Sequence, residues 1–190
     1  MRSILASLVV AVMLTGGAVA GPFADALRAL LAEDYATASR LLRPLAAQGH
    51  AGAQHNLGVM YGNGQGVPQS YAEALKWYRL AAEQGVAQSQ SNLGLMYDNG
   101  QGVPQDYAEA LKWYRLAAMQ GHGPAQQNLG VMYVLGQGVP QDYVQAHIWF
   151  NLAAANGANA AGTYRDRIAP KMTPEQIALA QRLAREWKPK

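Results

Sequence analysis

Apolar residues recur along this chain at helical spacing, in runs that glycine-rich segments separate. In one run, four apolar residues lie at positions i, i+4, i+7 and i+8 and so share one face of a predicted helix: Ala53, Leu57, Met60 and Tyr61. The next run, beyond the glycines, places four more on one side of a second predicted helix: Ala74, Trp77, Tyr78 and Ala81. The pattern therefore predicts a unit of two helices joined by a loop.

Both predicted helices have recognisable ends. The first, from about residue 53 to residue 61, stops at Gly62-Asn63-Gly64-Gln65-Gly66, because a segment so rich in glycine cannot sustain a helix. Ser70 stands at the N-cap position of the second helix, and Glu73 three residues later completes a capping box. The second helix ends at Gly85, which can adopt a positive φ.

This unit occurs three times without a gap, at residues 53–88, 89–124 and 125–160. Corresponding positions carry equivalent residues, as four sets show: Gly64, Gly100 and Gly136; Pro68, Pro104 and Pro140; Trp77, Trp113 and Trp149; Ser70, Asp106 and Asp142. A pair of helices cannot bury its apolar face alone, so successive units are expected to stack and share a core. The predicted fold class is all-α, an array of antiparallel helix-turn-helix repeats.

A glycine interrupts the first predicted helix of every unit, at Gly58, Gly94 and Gly130. Glycine inside a helix costs about 1 kcal/mol relative to alanine, so its recurrence points to a steric requirement. We infer that the two helices of a unit approach closely there, with Ala74 or Ala81 opposite Gly58. Replacing Gly94 with leucine is then expected to destabilise the fold through overpacking.

The flanks of the array predict incomplete units. Residues 21–52 predict a degenerate N-terminal helical repeat, in which Tyr35 keeps the register but the glycine-rich loop is cut short. Residues 161–190 predict a partial repeat and then a basic capping helix that opens at Thr173 and Pro174. One side of that helix is apolar and is expected to face the last repeat: Ile177, Ala180, Leu183, Ala184 and Trp187.

The first twenty residues follow a different pattern. The positive start Met1-Arg2 precedes the apolar run Ile4–Leu14, which is shorter than the ~20 residues that a membrane span requires. Ala18-Val19-Ala20 then fits the small-x-small cleavage pattern. Residues 1–20 therefore predict a secretory signal peptide cut after Ala20, with a buried N-terminal helix as the alternative. We expect a periplasmic or secreted mature chain with no stable membrane insertion after cleavage.

Composition narrows the possible chemistry. Cysteine is absent, which excludes disulfides, thiolate catalysis and cysteine-ligated metals. The formal net charge is only +3, and basic residues are sparse beside the repeated tryptophans, so no nucleic-acid partner is expected. From residue 161 onward, seven basic side chains stand against three acidic ones. A solvated helix face accounts for that excess, and contact with an anionic surface is the alternative.

The histidines do not predict a metal site. His50 and His122 share one repeat position, at which the other copies carry valine and alanine, and this variation indicates a turn surface. His147 replaces a leucine of the other copies and is expected at a partly exposed edge of the core. Neither a metal-binding spacing such as HExxH nor a phosphate-binding Gly-Lys-Ser/Thr ending is present, so no metal and no cofactor are predicted.

The repeated pattern A-Q-x-N-L-G-x-M-Y-x-x-G-x-G-V-P-Q-D-Y-x-x-A-x-x-W-Y-x-x-A-A-x-x-G resembles the Sel-1-like repeat family, relatives of the tetratricopeptide repeat. The match is near complete over residues 53–157 and looser over the flanks. The resemblance implies a right-handed superhelix of antiparallel helix pairs, an α-solenoid, that serves as an adaptor for other proteins. A minority of exported, cysteine-rich members bind or hydrolyse β-lactams, and the lack of cysteine sets this chain apart from them.

Positions whose residues differ among the three copies are not constrained by the packing that all copies share. Two such positions on the first helix are seven residues apart and so lie on one face. We predict that this stripe, with the position that follows it, faces a protein or peptide partner: His55, Gly62, Asn63, Ser91, Asp98, Asn99, Gln127, Val134 and Leu135. The alternative is that these residues merely face solvent and vary freely.

Taken together, these patterns predict an exported, non-enzymatic repeat module that binds a protein or peptide, as an adaptor or regulator in the bacterial envelope. The alternative, carried over from the cysteine-rich relatives, is a hydrolase of β-lactams or cell-wall material. Against it stand the absence of cysteine, of a Ser-x-x-Lys motif and of a paired catalytic acid.

Overall fold

The computed structural model describes residues 21–189, and the predicted signal peptide lies outside that range. Within it the chain forms ten α-helices and no strand, which confirms the all-α prediction. The helices are α1 Pro22–Leu31, α2 Tyr35–Ala47, α3 Ala51–Asn63, α4 Tyr71–Glu83, α5 Ala87–Asn99, α6 Tyr107–Met119, α7 Gly123–Leu135, α8 Tyr143–Ala155, α9 Ala161–Ile168 and α10 Pro174–Glu186. A 3-10 turn, Ala169–Lys171, joins α9 to α10.

The chain divides into two compact units, with the boundary between Ser89 and Gln90 inside α5. In the first unit, α1 packs on α2, α2 on α3, and α3 on α4. Apolar side chains from these helices and from the loop after α3 form its core: Ala26, Leu30, Ala38, Leu42, Ala53, Leu57, Met60 and Val67. The hairpin of α1 and α2 occupies the range for which the sequence predicts a degenerate repeat, and its side chains share one core with those of α3.

In the second unit, α6 packs on α7, α7 on α8, and both α9 and α10 on α8. Ala146 and Phe150 of α8 meet Ile168 of α9 in one cluster. A second cluster joins the opposite side of α8 to α10: Ile148, Leu152 and Ala180, with Ala184 and Trp187 packed against them. The last helix therefore covers α8 with its apolar side, as the sequence pattern predicted.

The first helices are longer than expected. Instead of covering residues 53–61, α3 begins at Ala51 and continues through Gly62 and Asn63, before Gly64 at φ +70° ends it. The extra turn is possible because Gln69 Nε2 donates to the Gly62 carbonyl at 2.8 Å, which satisfies an acceptor that the helix end leaves free. Gly62 and Asn63, two of the predicted groove residues, therefore belong to α3 and not to the loop.

Side-chain caps open the second helices as predicted, but the capping box expected at Ser70 and Glu73 is incomplete, because Ser70 N donates to the Tyr61 carbonyl at 2.9 Å. The Ser70 hydroxyl accepts from Glu73 N at 3.3 Å, and Asp106 and Asp142 cap α6 and α8 in the same way. A complete capping box, with both side chains bonded, opens α10 at Thr173 and Gln176. Each such cap stabilises a helix by about 1 kcal/mol.

The glycines inside the first helices lie beneath aromatic rings. A Cβ atom added to Gly58 would lie 2.5 Å from the Tyr78 ring, and one on Gly94 would lie 2.8 Å from the Tyr114 ring. The inference of a close approach is correct, but the prediction that Ala74 or Ala81 lies opposite is wrong. The ring occupies the space that a side chain at the glycine would need.

A buried glutamine ties neighbouring hairpins together. In the second unit, the fully buried Gln126 donates through Nε2 to the Ala118 carbonyl at 3.0 Å, and its Oε1 accepts from Asn156 Nδ2 at 2.9 Å. Gln54 makes the corresponding bonds to Ala46 and Gln84 in the first unit. Glutamine recurs at this position in all three copies, but its buried hydrogen bonds were not predicted from the sequence.

Candidate functional site

The predicted groove residues differ in how far the fold exposes them. His55 and Ser91 are only 6% exposed, and Gly62 is buried as well. Partial exposure is found at four positions: Asn63, Asp98, Gln127 and Val134. Asn99 is exposed, and Leu135 is the most exposed at 60%. The accessible members therefore lie mainly at the C-terminal ends of the first helices.

His55 contacts other residues of the fold. Its Nδ1 lies 2.8 Å from Ser89 Oγ, and its ring packs against that of Tyr78 with 5.9 Å between centroids. A serine beside a histidine is the pairing that nucleophilic catalysis uses. Here, however, Ser89 is 0% exposed, so no substrate reaches its hydroxyl.

At the end of α5, Asp98 is bonded within its own hairpin. Tyr114 of α6 donates its hydroxyl to Asp98 Oδ2 at 3.4 Å. Burial raises the pKa of the Asp98 carboxyl, and the hydrogen bond from Tyr114 opposes that shift in part. Burial, followed by the neighbouring Asp98, raises the pKa of Tyr114, whose hydroxyl also bonds the Asn128 side chain of α7. A polar triad of Asp98, Tyr114 and Asn128 thus joins three successive helices.

The corresponding place at the end of α7 is apolar. Thirty-six residues beyond the polar triad stand Val134, Phe150 and Tyr164, on α7, α8 and α9. The rings of Phe150 and Tyr164 stack with centroids 5.6 Å apart. Phe150 is 1% exposed, whereas Tyr164 is 38% exposed. We call these three residues the apolar triad.

A pocket of about 450 Å³ opens over the apolar triad. Its lining comes from α7, α8, α9 and the 3-10 turn: Val131, Val134, Leu135, Phe150, Tyr164, Arg167, Ile168 and Lys171. Two of the predicted groove residues, Val134 and Leu135, are among them. We call this cavity the α7–α9 pocket.

The charged residues of the α7–α9 pocket are both basic. Arg167 and Lys171 are exposed on α9 and the 3-10 turn, and the described lining includes no carboxylate. Lys171 Nζ donates to the Tyr143 hydroxyl at 3.3 Å and lies over that ring at 5.3 Å, which holds the ammonium near the rim. An apolar floor beside two cations suits a ligand that is both apolar and anionic.

Two of the histidines cap helices. His50 Nδ1 accepts from Ala53 N at 3.2 Å, and His122 Nδ1 accepts from Ala125 N at 3.3 Å. These bonds require an unprotonated Nδ1, and burial lowers the pKa of His122, which favours that form. The turn-surface interpretation missed this role, because histidine is not a usual N-cap residue.

His147 is 2% exposed, so the expected partly exposed core edge is wrong. Its Nδ1 lies 2.9 Å from Asn151 Nδ2, and the Asn151 carbonyl oxygen accepts from Arg165 of α9 at 3.2 Å. Burial, and then the charge of Arg165, lower the pKa of His147, while Asp166 opposes the shift. The α9 helix packs on α8 and brings Arg165 to the asparagine that His147 contacts, and no lone hairpin provides that arrangement.

Among residues 21–189, no group of three or more metal-binding side chains lies together, and no helix is long and apolar enough to cross a membrane. Two other pockets, of about 340 and 440 Å³, are shallower and involve α10. The α7–α9 pocket is therefore the candidate site that we develop. Val134 and Leu135 of its lining are groove residues predicted from the sequence, whereas Tyr164, Arg167 and Lys171 are not, because residues 161–190 were expected to form only a partial repeat and a cap.

The chain is similar to known helical-repeat proteins. A model of the Sel1 repeat family matches residues 51–86, 87–122 and 123–157, together more than half of the chain. These bounds lie within three residues of the units that the sequence pattern delimits. No curated protein matches the chain at a significant level.

Two crystal structures are similar to the fold. A Sel1 repeat protein from Oxalobacter formigenes is 36% identical, with a TM-score of 0.73 over 77% of this chain and 59% of that one. The protein c5321, a protective antigen present in uropathogenic Escherichia coli strains that displays an SLR fold, is 44% identical. Its TM-score is 0.69, over 72% of this chain and 30% of that protein. The chain thus spans less than two thirds of either protein.

Proposed function

Because the chain belongs to the Sel1 repeat family, whose members typically mediate protein–protein interaction, we propose that it is an exported adaptor or regulator that binds a protein or peptide in the bacterial envelope. The family is generally a non-catalytic scaffold, and the partner-binding part of the proposal extends that property to a specific surface.

The observation that carries the proposal is Leu135. The fold does not require an apolar residue there, because the first two repeats carry Asn63 and Asn99 at the same place on the same kind of helix. Leu135 is nevertheless 60% exposed at the rim of a pocket with an apolar floor. Apolar surface that is exposed beside a concave site is typical of a surface that binds a partner.

Export is supported by the pattern of residues 1–20 alone. We propose that the chain is cleaved after Ala20 and acts in the periplasm or outside the cell. Expression of the full chain followed by intact-mass measurement of the periplasmic and secreted fractions tests this. A mature chain that begins at Gly21 is expected. Recovery of only the uncleaved chain from the cytoplasm would contradict the proposal.

A photo-crosslinking amino acid at position 135 of the full chain tests partner binding in the native envelope. A discrete protein adduct is expected there and not at Leu116, a control position on α6 that is 45% exposed in the same unit. Equal labelling from the two positions, or none from either, would refute a partner surface at α7.

The hydrolase alternative gains no support from the described residues. The serine–histidine pair is buried, and the α7–α9 pocket contains no nucleophile beside a general base. A chromogenic β-lactam assay on the purified chain is expected to show no turnover above that of buffer. Saturable turnover would replace the adaptor proposal with an enzymatic one.

A further inference from the structure

We propose that the α7–α9 pocket binds a peptide segment in which large apolar side chains lie next to a carboxylate. This inference rests on the proposed function and names the chemistry of the partner. The carboxylate is that of an acidic side chain within the peptide, and a free C-terminus enters the experiment as a competing outcome.

The apolar half of the proposal comes from three linked differences between repeats. Where Asp98, Tyr114 and Asn128 meet at the end of α5, the positions thirty-six residues later carry Val134, Phe150 and Tyr164. The first two changes remove a carboxylate and a hydroxyl, the third replaces an amide with an aromatic ring, and all three residues line one pocket. A single change of this kind is ordinary drift, whereas three that meet at one cavity produce a surface on which an apolar side chain excludes water.

Leu135 extends this apolar surface to the rim of the pocket. It follows Val134 at the end of α7 and is 60% exposed, so an occupant of the pocket would cover it. Together with the stacked rings of Phe150 and Tyr164, it forms three sides of a cavity of about 450 Å³, which is large enough for one or two apolar side chains.

The carboxylate half of the proposal comes from Arg167 and Lys171. In the register of the repeats these residues correspond to Val131 and Leu135. The fourth unit therefore carries cations at the positions where the third carries apolar residues. No described residue lining the pocket is acidic, so their charge is not neutralised within the pocket. A carboxylate in the ligand would complement them, and arginine can bind it through two parallel hydrogen bonds.

A peptide fits this arrangement better than a membrane surface does. The cations flank a concave apolar cavity, whereas an amphipathic helix that lies on a bilayer presents an apolar strip with its charges along the edges. Anionic lipid therefore enters the experiment as a competing outcome and not as the ligand.

The experiment measures fluorescence anisotropy of labelled octapeptides with the full mature chain. The first probe carries a Leu-Phe pair between two glutamates, with both ends blocked. The second carries Leu-Phe at a free C-terminus without glutamate. In the third lysines replace the glutamates, and in the fourth serines replace Leu-Phe. We expect the first probe to bind at least about tenfold more tightly than each of the other three.

Leu135→Asn is the decisive variant, because it restores the residue of the other repeats and so leaves the fold intact. It is expected to weaken binding of the favoured probe about tenfold, and Arg167→Gln and Lys171→Gln about fivefold each, with a smaller effect in high salt. Leu116→Asn is the matched control, since Leu116 is an exposed leucine of the same unit outside the pocket. Its affinity should equal that of the wild type.

The triple variant Val134→Asp, Phe150→Tyr and Tyr164→Asn converts the apolar triad into the polar triad of the second repeat. It should fold, because those residues already occur together at the end of α5, and it should bind the favoured probe no better than the serine peptide. A thermal unfolding curve close to that of the wild type confirms that the loss is local.

Three results would overturn the inference. The first is binding of the lysine peptide or of the free C-terminal peptide as tight as that of the acidic peptide, and the second is full affinity of Leu135→Asn. The third is binding to phosphatidylglycerol vesicles that the pocket variants abolish, without binding of any acidic peptide. If crosslinking at position 135 still captures a protein in these cases, the adaptor proposal stands and only the stated chemistry of the partner fails.

Discussion

The second and third repeats share a hairpin but differ at its open end. In α5–α6 and in α7–α8, a leucine and a methionine of the first helix are almost fully buried: Leu93, Met96, Leu129 and Met132. Each hairpin also packs an aromatic ring onto a helical glycine, Tyr114 on Gly94 and Phe150 on Gly130. At the helix end, however, the polar triad of the second repeat becomes the apolar triad of the third. The fold therefore requires an aromatic ring at this position but not a hydroxyl on it. Because the hydroxyl is optional, hydrogen bonds can close the end of α5 while the end of α7 opens onto a pocket.

The largest expected effect is a loss of stability, and it concerns the contact between a helical glycine and an aromatic ring that both hairpins share. Gly94→Leu should lower the free energy of unfolding by about 3 kcal/mol, because even a Cβ atom would lie 2.8 Å from the buried Tyr114 ring. Gly130→Leu should do the same against Phe150. Urea unfolding followed by circular dichroism measures both. Gly162→Leu in α9 is the control, since no heavy atom lies within 4 Å of its added Cβ. Equal stability of Gly94→Leu and the wild type would remove the steric explanation.

The next largest effect is also on stability. It compares a residue whose identity the fold requires with a neighbouring residue that the fold allows to vary. Gln126→Ala should cost about 2 kcal/mol of stability, because it removes the hydrogen bonds that this side chain makes to the Ala118 carbonyl and from Asn156 Nδ2, and because it empties a fully buried site. Its neighbour Gln127 is a half-exposed groove candidate, and Gln127→Ala should change stability by less than about 0.5 kcal/mol. The same urea unfolding compares the two. Equal losses would show that the variable position is structural as well.

A smaller effect tests the polar triad itself. A double-mutant cycle of Asp98→Val and Tyr114→Phe gives the second repeat the valine and phenylalanine of the third. We expect the double variant to be more stable than the summed single effects predict, by about 1 kcal/mol, because each single change leaves one partner of a part-buried hydrogen bond alone. A coupling within the error of the unfolding measurement would show that the two side chains act independently.

The smallest effect is a dependence of stability on pH at one position of α8, where α6 carries a residue that does not titrate. Leu111 of α6 corresponds to His147 of α8, whose pKa burial lowers in the folded chain. The unfolded histidine titrates near its ordinary value of about 6.5. A depressed folded pKa means that the unfolded chain binds protons first, so the stability that neutral His147 contributes is present above that value and is lost as the pH falls towards the folded pKa.

His147→Leu should therefore reduce the loss of stability between pH 7 and pH 5, measured by thermal unfolding in matched buffers. His122, whose pKa is also lowered by burial, should still contribute a slope in that variant. A double variant that adds His122→Val separates the two contributions. If the pH dependence of His147→Leu matched that of the wild type, the imidazole would have no part in the acid sensitivity.

Much of the fold followed from the local pattern. The glycine-interrupted helices, the caps at Ser70, Asp106 and Asp142, and the apolar side of α10 were all predicted because each depends on residues a few positions apart. The ring above Gly58 was not assigned to Tyr78, since helical spacing shows which residues share a face but not which of them lies opposite a given point.

The candidate site, too, could be predicted from the sequence only in part. Comparison of the repeats selected Val134 and Leu135, because a residue that departs from its own copies is visible without coordinates. His55 and Ser91 were selected by the same reasoning, yet the fold buries them. Variation between copies can reflect different packing partners as well as a partner molecule, and only the contacts distinguish the two.

By itself, the sequence determined the repeat, its period and the helices within it, because helical periodicity, caps and glycine breaks act over a few neighbouring residues. The tertiary structure alone decided that Phe150 and Tyr164 stack, that Arg165 of α9 bonds the asparagine beside His147, and that Arg167 and Lys171 line one pocket with Leu135. These contacts join separate helices of the second unit. Their distances depend on how α7, α8 and α9 pack, which no local pattern specifies.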